Sequence, residues 1–522
     1  MSGSVRTSRS SPQGCELPRR RTMTAARRLR DRDARPTPMR GTVTCHARSC
    51  HGPSSAFRTM LSCFSHSDVN GATVGSSVVN RDGTTLHGEG DGDLGIPADD
   101  ARRSRLLTIR STMSQFVPRR SAVFLAAVVV TVGALTAPAA ASAAPADDWS
   151  FYQPPSPLPD GQDGDVIRSE PARFYSAPLI PLPASAQRIM YLSRDALGRR
   201  IAVTGAVLTP NTPWPGPGER PIVSYAIGTH GLADRCAPSR NLSTGTEFEA
   251  AFMTKLLTLG YAVALTDYQG LGTPGTHTYV NRLAEAHAVL DVVRAAQRLP
   301  VANLPDDGPV AIVGYSQGGG AAGAATELAP DYAPDLDVVG GYAGAPPADL
   351  AVVADRMEGS YTVGFVVYAA AGLAAAYPEL DIPAFLNDRG RRLLAQVQNE
   401  CAAETIALHA FTRTADLTVD GRSLGDHARE GRIAARVAEQ TVGRHRPAAP
   451  VMVTNSVTDE GIPFERTRQL ARDWCDLGAT VNFQPLAAPG HGGGFFESFG
   501  RMLPWLDDRV AGRPAPNNCG SF

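Results

Sequence analysis

From residue 185 onward, short apolar or β-branched segments alternate with longer segments of helical periodicity, and this alternation constrains the fold more than any other feature. Strands that alternate with helices are typical of a mostly parallel sheet covered by helices. The chain has 522 residues, 43% of them hydrophobic, so it can bury at least one large core in this way. The sequence therefore predicts a globular α/β protein.

The predicted strands and helices lie between residues 188 and 510. Strands are predicted at residues 188–193, 200–208, 221–226, 262–266, 310–313, 338–343, 451–455 and 482–486, and helices at 248–258, 281–298, 317–329, 465–477 and 495–510. Roughly 100 residues between 343 and 451 break the alternation, and an insertion of this length is typical of a cap or lid. Within it, residues 361–377 are apolar on all sides, which indicates a buried cap helix or, alternatively, an apolar wall that faces acyl chains.

Residues 122–141 form a long apolar stretch without a charge, preceded by two arginines and followed by the tripeptide Ala-Ser-Ala. This is the layout of a secretory signal that is cleaved after a small residue. A transmembrane anchor is the alternative, because about 20 apolar residues can span a bilayer. We expect a signal peptide at 113–143, starting at Met113, and we interpret residues 1–112 as an over-extended start or a disordered region.

The predicted exported chain, residues 144–522, carries 30 basic and 41 acidic side chains and so has a net charge near −11. Phosphate binding requires clustered Lys and Arg, so this charge argues against nucleic acid as a partner. No His-Glu-x-x-His or paired Cys-x-x-Cys motif indicates a metal, and we expect neither a metal nor a cofactor. The even number of cysteines in an exported chain indicates two disulfides, with all pairings open: Cys236, Cys401, Cys475 and Cys519.

The sharpest functional motif is the pentapeptide Gly314-Tyr315-Ser316-Gln317-Gly318. It follows a predicted strand and opens a predicted helix rich in Gly and Ala. In this strand, turn and helix arrangement the serine occupies a strained turn, and the flanking glycines relieve crowding between strand and helix. The motif predicts that Ser316 is the nucleophile of a hydrolase.

A serine nucleophile needs a base, and in this arrangement the base is a histidine that comes last along the chain. His491 lies in a glycine-rich segment between the last predicted strand and the last predicted helix. We interpret that segment as a flexible loop that brings the imidazole over the sheet edge. His409, His427 and His445 fall in the insertion or its polar end and are predicted to be solvated.

The base needs an acid that holds it in one tautomer, and this acid is expected after the strand before the last. Asp459 follows predicted strand 451–455 at a suitable distance and is the predicted acid. Glu460 is the local alternative and is predicted to face solvent. Asp267, which follows another central strand, is open to the plain interpretation that it pins the following turn.

The negatively charged oxygen of a tetrahedral intermediate needs preorganised hydrogen-bond donors. One predicted donor is the backbone N–H of Gln317, the residue after the nucleophile. The second normally comes from the loop after the third strand, which here is residues 227–231, and Thr229 is the candidate.

These residues together resemble the secretory lipase family of the lipase A type, found in yeasts and actinobacteria. The matching pieces are Gly228-Thr229-His230-Gly231 followed by Cys236-Ala237-Pro238-Ser239, Asp267-Tyr268-Gln269-Gly270-Leu271-Gly272, the Gly314 to Gly318 pentapeptide, Asp459 before Pro463, and Gly490-His491. The resemblance covers most of residues 150–520. It implies an α/β-hydrolase core with an inserted helical cap, hydrolysis of lipid esters, no cofactor, and disulfides Cys236–Cys401 and Cys475–Cys519, the first tying the cap to the core.

The chain departs from the family in one place. In yeast members an acidic side chain in the loop before the first cysteine helps to hold the oxyanion, but no acid occurs at Thr229, His230 or Gly231. The second oxyanion donor is therefore open.

The predicted organisation is a signal peptide (113–143), a Pro-rich N-terminal arm (144–186), a first core part (187–348), a helical cap (349–445) and a second core part (446–522). We predict a secreted, monomeric serine ester hydrolase that cleaves acylglycerols or related carboxylic esters through Ser316, His491 and Asp459 and an acyl-enzyme, with transient contact to lipid interfaces. A short-chain esterase, an acyltransferase or a peptidase with the same triad are alternatives. A non-catalytic lipid-binding or adhesion protein is a further alternative and predicts that a triad member is missing.

Overall fold

A computed structural model describes residues 149–522, and this part of the chain is built around a large central sheet. Its strands are β1 (Val166–Ala172), β2 (Tyr175–Ala177), β3 (Ile180–Pro181), β4 (Ala184–Arg194), β5 (Arg200–Pro210), β6 (Ile222–Ala226), β7 (Ala262–Thr266), β8 (Val310–Tyr315), β9 (Val338–Gly344), β10 (Val451–Ser456) and β11 (Val481–Leu486). Its helices are α1 (Pro238–Thr244), α2 (Ala250–Leu259), α3 (Arg282–Gln297), α4 (Gln317–Tyr332), α5 (Leu350–Met357), α6 (Gly364–Ala376), α7 (Asp388–Gln396), α8 (Ala402–His409), α9 (Leu424–His427), α10 (Gly431–Glu439), α11 (Phe464–Asp476) and α12 (Gly490–Val510).

The central sheet has nine strands in the order β1-β4-β5-β7-β6-β8-β9-β10-β11. The six strands from β7 to β11 in this order pair in parallel, and β1, β4 and β5 add an antiparallel edge. The central strands β6, β7, β8 and β10 are buried along their whole length, as expected for parallel strands covered on both faces. This confirms the predicted α/β class.

Parallel strands end at the same edge of a sheet, and that edge positions the site. The loops after β6, β8, β10 and β11 contain, in that order, Thr229, Ser316, Asp459 and the start of α12. In sheets of this kind ligands bind outside the carboxyl ends of the strands. The topology therefore gathers the predicted site residues, which are up to 262 positions apart in sequence, at one edge.

One prediction about the sheet and one about a helix boundary need correction. The segment predicted as an arm (144–186) contains β1, β2 and β3, and β1 pairs with β4 as the edge strand of the central sheet. Pro171 lies within β1, and an edge strand tolerates proline because one side of its backbone needs no partner. Helix α4 continues past Pro330 to Tyr332, three residues beyond the predicted end at 329.

The chain between β9 and β10 contains no β-strand of the central sheet and includes helices α5 to α10. These helices enclose a second apolar cluster, separate from the core around the sheet, with Val367, Leu373, Leu393 and Val437 among its buried members. Helix α6 is apolar and mostly buried, in agreement with the predicted cap helix. The helical insertion thus has a small core of its own. We call this segment the cap; its boundaries at 349 and 445 stay a prediction.

Two disulfides are present, Cys236–Cys401 and Cys475–Cys519, with the pairing that the resemblance implied. The first joins the loop after β6 to the start of α8 in the cap. Within residues 149–522 no single helix is long and apolar enough to cross a bilayer; Gly364–Ala376 and Pro378–Phe385 reach that length only as a pair bent by 110°. The predicted signal peptide lies outside the described residues.

Candidate active site

Ser316 occupies the sharp turn between β8 and α4, with φ 59° and ψ −124°. Its backbone N–H donates to the Gly344 carbonyl oxygen at 2.9 Å, which anchors the turn to the neighbouring strand. A Cβ atom at Gly314 would lie 2.2 Å from the Gly318 carbonyl oxygen, and one at Gly318 would lie 2.0 Å from that of Ala226. Only glycine fits at these two positions, so the flanking residues of the pentapeptide allow the strained turn that presents the serine.

Asp459 lies in the turn after β10, and its side chain is fully buried. One carboxylate oxygen, Oδ1, accepts hydrogen bonds from the backbone N–H groups of Gly461 (2.8 Å) and Ile462 (2.7 Å). The other, Oδ2, lies 2.7 Å from His491 Nδ1. The backbone bonds hold the carboxylate in one orientation and leave Oδ2 aimed at the imidazole.

His491 lies in the first turn of α12, not in the flexible loop that was predicted, because α12 begins at Gly490. Its backbone N–H donates to Glu460 Oε2 at 2.9 Å, and its carbonyl oxygen accepts from the Tyr315 hydroxyl at 2.8 Å. A Cβ atom at Gly494 would lie 2.7 Å from that hydroxyl. The glycine at 494 makes room for Tyr315, and the two backbone hydrogen bonds fix His491.

Glu460, which was predicted to face solvent, joins the core to the cap. Besides the His491 N–H, it accepts a hydrogen bond from the hydroxyl of Tyr361, which lies just before α6. Partial burial would raise the pKa of Glu460, but these hydrogen bonds and the nearby His491 outweigh it and lower the pKa. Glu460 therefore stays a carboxylate beside the imidazole.

Ser316 and His491 line one cavity between the sheet edge and the cap. Its core wall contains the polar residues Gln317 and Glu460 together with apolar residues such as Val280 and Ile462. Its cap wall is apolar and consists of Leu350, Val353, Ala354, Met357, Tyr361, Thr362, Phe365, Val366 and Ala369. A second apolar cavity inside the cap shares Leu350, Ala354, Val366 and Ala369 with the first. The site can therefore hold an apolar group of some length beside the serine.

The other histidines after the serine lie elsewhere. His409 is paired with Glu400 at 2.9 Å and His427 with Asp420 at 3.2 Å, both within the cap. The prediction that His409 and His427 are solvated is wrong, since the first is largely buried against Glu400 and the second is stacked on Phe385. None of His409, His427 and His445 lines the cavity that contains Ser316.

The loop after β6 is held by buried acids that sequence reasoning missed. Glu249 accepts hydrogen bonds from the Gly228 N–H and the Tyr225 hydroxyl, both at 2.8 Å. Glu249 thus takes up the Gly228 N–H, so that group is not free to donate to another partner. Thr229 follows directly, and its hydroxyl lies 2.8 Å from that of Tyr279, which lines the cavity.

His230 completes this arrangement as a buried cation. Its Nδ1 lies 2.9 Å from the Gly228 carbonyl oxygen and its Nε2 2.8 Å from Glu247 Oε2, so both nitrogens donate. Burial alone lowers the pKa of His230, but the charge and hydrogen bond of Glu247 outweigh it and raise the pKa to about 9. Burial raises the pKa of the neighbouring Glu249 to about 7. Both backbone polar groups of Gly228 are therefore fixed by side chains.

Asp267 has a structural role, although it joins Ser239 and Thr204 where the sequence suggested that it pins the following turn. Its buried carboxylate accepts from the Ser239 N–H (2.8 Å), the Ser239 hydroxyl (2.6 Å) and the Thr204 hydroxyl (2.8 Å). It therefore joins the Cys-Ala-Pro-Ser and Asp-Tyr-x-Gly-Leu-Gly segments to each other. As for metals, no group of three or more His, Cys, Asp or Glu residues within 149–522 is arranged to hold an ion.

Comparison with known proteins shows the family and the fold of the chain. A family model described as secretory lipase matches residues 237–518. A protein of Mycobacterium tuberculosis named a "probable inactive lipase" is 30% identical over 71% of this chain and 83% of its own length, and lipase A of Moesziomyces aphidis is 28% identical over 69% and 80%.

Among solved structures, Candida antarctica lipase A superposes with a TM-score of 0.63 and 25% identity over 71% of this chain and 87% of its own. A rice cell wall degrading esterase of Xanthomonas oryzae, 17% identical with a TM-score of 0.57 over 68% of this chain and all of its own, shares the fold. These likenesses confirm the α/β-hydrolase fold with a mostly parallel sheet. By the extent of the family match and of the mycobacterial relative, the chain belongs to the secretory lipase family.

Proposed function

We propose that the protein is a serine ester hydrolase in which Ser316 is the nucleophile, His491 the general base and Asp459 the acid that orients it. The observation that carries the proposal is the 2.7 Å hydrogen bond between His491 Nδ1 and Asp459 Oδ2, next to a cavity that Ser316 and His491 both line. A buried carboxylate on Nδ1 keeps the proton there, so Nε2 is free to accept one from the serine.

The reaction follows from this tautomer. Ser316 Oγ attacks the ester carbonyl carbon while His491 Nε2 takes the hydroxyl proton, and the tetrahedral oxyanion accepts hydrogen bonds from the Gln317 and Thr229 N–H groups. The imidazolium then gives its proton to the departing alcohol, which leaves an acyl-enzyme on Ser316. Water, deprotonated by His491, attacks the acyl-enzyme, and the acid is released. No cofactor is needed for any step.

The cavity supports an ester with an apolar acyl group as the substrate. Its cap wall is apolar, and the second cavity behind it extends the apolar space inside the cap. Several relatives are named secreted triacylglycerol lipases, among them proteins of Malassezia globosa and Malassezia restricta that are 25 to 27% identical. We therefore favour acylglycerols or related lipid esters, presented at a lipid interface to a monomeric enzyme.

An extracellular location is part of the proposal. The named secreted relatives and the two disulfides favour export to an oxidising compartment.

The proposal is tested with residues 144–522 expressed with export to an oxidising compartment, as wild type and Ser316→Ala. Hydrolysis of p-nitrophenyl esters is measured over short to long acyl chains, and circular dichroism shows that both proteins are folded. We expect turnover that rises toward long chains and disappears in Ser316→Ala. Turnover confined to short chains would indicate an esterase, and turnover retained in Ser316→Ala would exclude the proposed nucleophile.

A non-catalytic member of the family is the second candidate, because the mycobacterial relative is named a probable inactive lipase. It predicts that folded wild type hydrolyses none of the esters. Labelling with a fluorophosphonate, which reacts only with an activated serine, separates the two candidates even when the ester series lacks the right substrate. Labelling of wild type but not of Ser316→Ala favours the enzyme.

A further inference from the structure

We infer that Glu285 is a positioning residue for the proposed reaction: through a buried hydrogen-bond network it fixes Gln317, the residue that follows the nucleophile, and the cavity wall beside it. The inference rests on the proposed function, since it matters only if Ser316 and Gln317 take part in ester hydrolysis. Glu285 itself does not line the cavity and is not assigned contact with the substrate.

Glu285 lies in the first turn of α3 and is 2% exposed. Its Oε1 accepts a hydrogen bond from Gln317 Nε2 at 2.7 Å and another from the Val280 N–H at 2.9 Å. Gln317 opens α4, whereas Val280 precedes α3 and lines the cavity with φ 53°. One carboxylate oxygen thus ties the nucleophile turn to a backbone segment in a conformation that needs support.

The second hydrogen of the Gln317 amide is also used. His277 is fully buried; its Nδ1 lies 2.9 Å from the Gln269 carbonyl oxygen and its Nε2 2.9 Å from Gln317 Nε2. A carbonyl oxygen only accepts, so Nδ1 carries the proton and Nε2 accepts from Gln317. This requires a neutral imidazole, and burial lowers the pKa of His277 to about 4. Both amide hydrogens of Gln317 are therefore held, and the side chain cannot rotate without breaking two buried bonds.

Residues 277–280 contact both residues that are proposed as oxyanion donors, Gln317 and Thr229. His277 and Val280 connect to Gln317 as described, and between them Tyr279 places its hydroxyl 2.8 Å from that of Thr229. Residues 277–280 therefore lie between the loop after β6 and the nucleophile turn. Loss of the Glu285 carboxyl group would release Gln317 and Val280 together, next to the position where the oxyanion forms.

A purely structural role for Glu285, as an acidic residue that stabilises the start of α3, explains fewer of its contacts. Asn281 already caps α3 through a 3.1 Å bond from the Ala284 N–H to its side chain. Capping also gives no reason for a bond to a side chain on another helix, or for the cost of burying a carboxyl group. Burial raises the pKa of Glu285 to about 8, so its neutral form is favoured at neutral pH. Glutamine can replace that form and still accept both bonds.

The test compares Glu285→Ala with Glu285→Gln, using kcat and KM on a p-nitrophenyl ester that the wild type hydrolyses. We expect Glu285→Ala to lower kcat about ten-fold or more with KM within about two-fold, because a displaced oxyanion donor weakens binding of the transition state alone. Glu285→Gln should stay within about three-fold of wild type, since both acceptor bonds persist.

Glu327 provides the matched control. It is a buried glutamate on α4 that accepts from Trp474 Nε1 (2.8 Å) and the Gly443 N–H (2.6 Å) and pairs with Arg282 of α3 (2.7 Å), but it neither lines the cavity nor bonds to Gln317. Glu327→Ala should lower thermal stability without the selective loss of kcat. If Glu285→Ala changes kcat no more than Glu327→Ala at a similar loss of stability, or if Glu285→Gln is as slow as Glu285→Ala, the inference is wrong.

A second measurement tests the hydrogen-bond network even if Glu285→Ala does not fold or the wild type has no turnover. In wild type with ¹⁵N-labelled histidine, NMR should show His277 as the neutral Nδ1–H tautomer near pH 6, and Gln317→Ala should change the Nε2 shift. A charged His277, or a His277 Nε2 chemical shift that is the same in wild type and Gln317→Ala, would contradict the network. Absent turnover in wild type with the network intact would contradict the proposed function instead.

Discussion

The two walls of the cavity are built differently. On the core wall, Ser316 and His491 each follow a parallel strand, and Asp459, which follows another, bonds to His491. All three are held by short hydrogen bonds that involve the backbone. The cap wall holds side chains such as Met357, Phe365 and Ala369, which are positioned by packing within a separate apolar cluster. Under the proposed function, we predict that the core wall determines whether any ester is cleaved, while the cap wall determines which ester is preferred.

The largest effect is expected from Asp459→Asn on the core wall. The substitution keeps the size of the side chain and an acceptor for the two backbone N–H groups, but an amide cannot hold the proton on His491 Nδ1. We expect kcat to fall about 10⁴-fold for short and long esters alike. Steady-state kinetics over the ester series, with circular dichroism for folding, measure this.

The neighbouring carboxylate provides the control. Glu460→Gln keeps an acceptor for the His491 N–H and should cost less than about ten-fold, because Glu460 contacts the histidine backbone rather than the imidazole. A larger loss in Glu460→Gln than in Asp459→Asn would mean that the wrong carboxylate was assigned.

The first disulfide connects the two walls, whereas the second lies within the core part of the chain. Cys236–Cys401 closes 165 residues and Cys475–Cys519 closes 44. Chain entropy predicts about 5 kcal/mol of stabilisation for the first and about 4 kcal/mol for the second. We expect the double Ser variant at 236 and 401 to lower the free energy of unfolding in guanidinium more than the one at 475 and 519.

Activity sharpens this comparison between the disulfides. The variant at 236 and 401 lacks the covalent link between the loop that contains Thr229 and the cap, which backbone hydrogen bonds at residues 400–402 also join. Its turnover, at a temperature where it is folded, should therefore fall below that of the variant at 475 and 519. Equal turnover in the two variants would show that the cap holds its position without a covalent link.

The core wall could largely be predicted from the sequence, because its signals are local. Ser316 is marked by glycines within two residues, and Asp459 by its position just after a buried strand. The environment of His491 could not be predicted, because it depends on Tyr315, which is 176 residues away, bonds to the His491 carbonyl oxygen and requires a glycine at 494. Nearby sequence gives only the flexibility of glycine and not the tyrosine that requires it.

The buried acids were missed for a related reason. Glu247 and Glu249 lie at the start of the predicted helix 248–258, where charged side chains are usually exposed, and their partners His230 and Gly228 lie 17 to 21 residues earlier. Glu285 likewise has the appearance of a surface charge at a helix start. The cap could be predicted as an insertion of the right length, but not the residues that line its cavity, since its helices are arranged by tertiary packing.

On the cap wall, Ala369→Phe should change preference rather than chemistry. Ala369 lies between the two apolar cavities, and a phenyl ring there would occupy the space they share. We expect kcat/KM for long-chain esters to fall about 10- to 100-fold, with short-chain esters within about three-fold of wild type. Ala375→Phe, at a half-buried alanine on α6 that does not line either cavity, is the control. A parallel loss for all chain lengths in Ala369→Phe would contradict the division between the walls.

The smallest expected effect concerns the pH dependence of stability that arises from the loop after β6. The pKa of His230 is about 9 in the folded protein against an ordinary 6.5, so the folded state favours the charged imidazole. Its contribution to stability is complete below pH 6.5 and is lost as pH rises through about 9. Glu249, with a pKa raised from 4.5 to about 7, loses its own contribution earlier, as pH rises through about 7.

Between pH 7.5 and 9.5 the remaining loss is therefore assigned mainly to His230, on the order of 1–3 kcal/mol. Glu247→Gln removes the charge that raises the His230 pKa, so this variant should be less stable at pH 7 but show a smaller decline up to pH 9.5. Glu327→Gln, far from any of these groups, should decline as wild type does. Guanidinium unfolding at several pH values measures all three slopes. A slope in Glu247→Gln as steep as in wild type would mean that His230 is neutral in the folded protein, and that the Gly228 carbonyl oxygen or Glu247 then faces an unprotonated ring nitrogen.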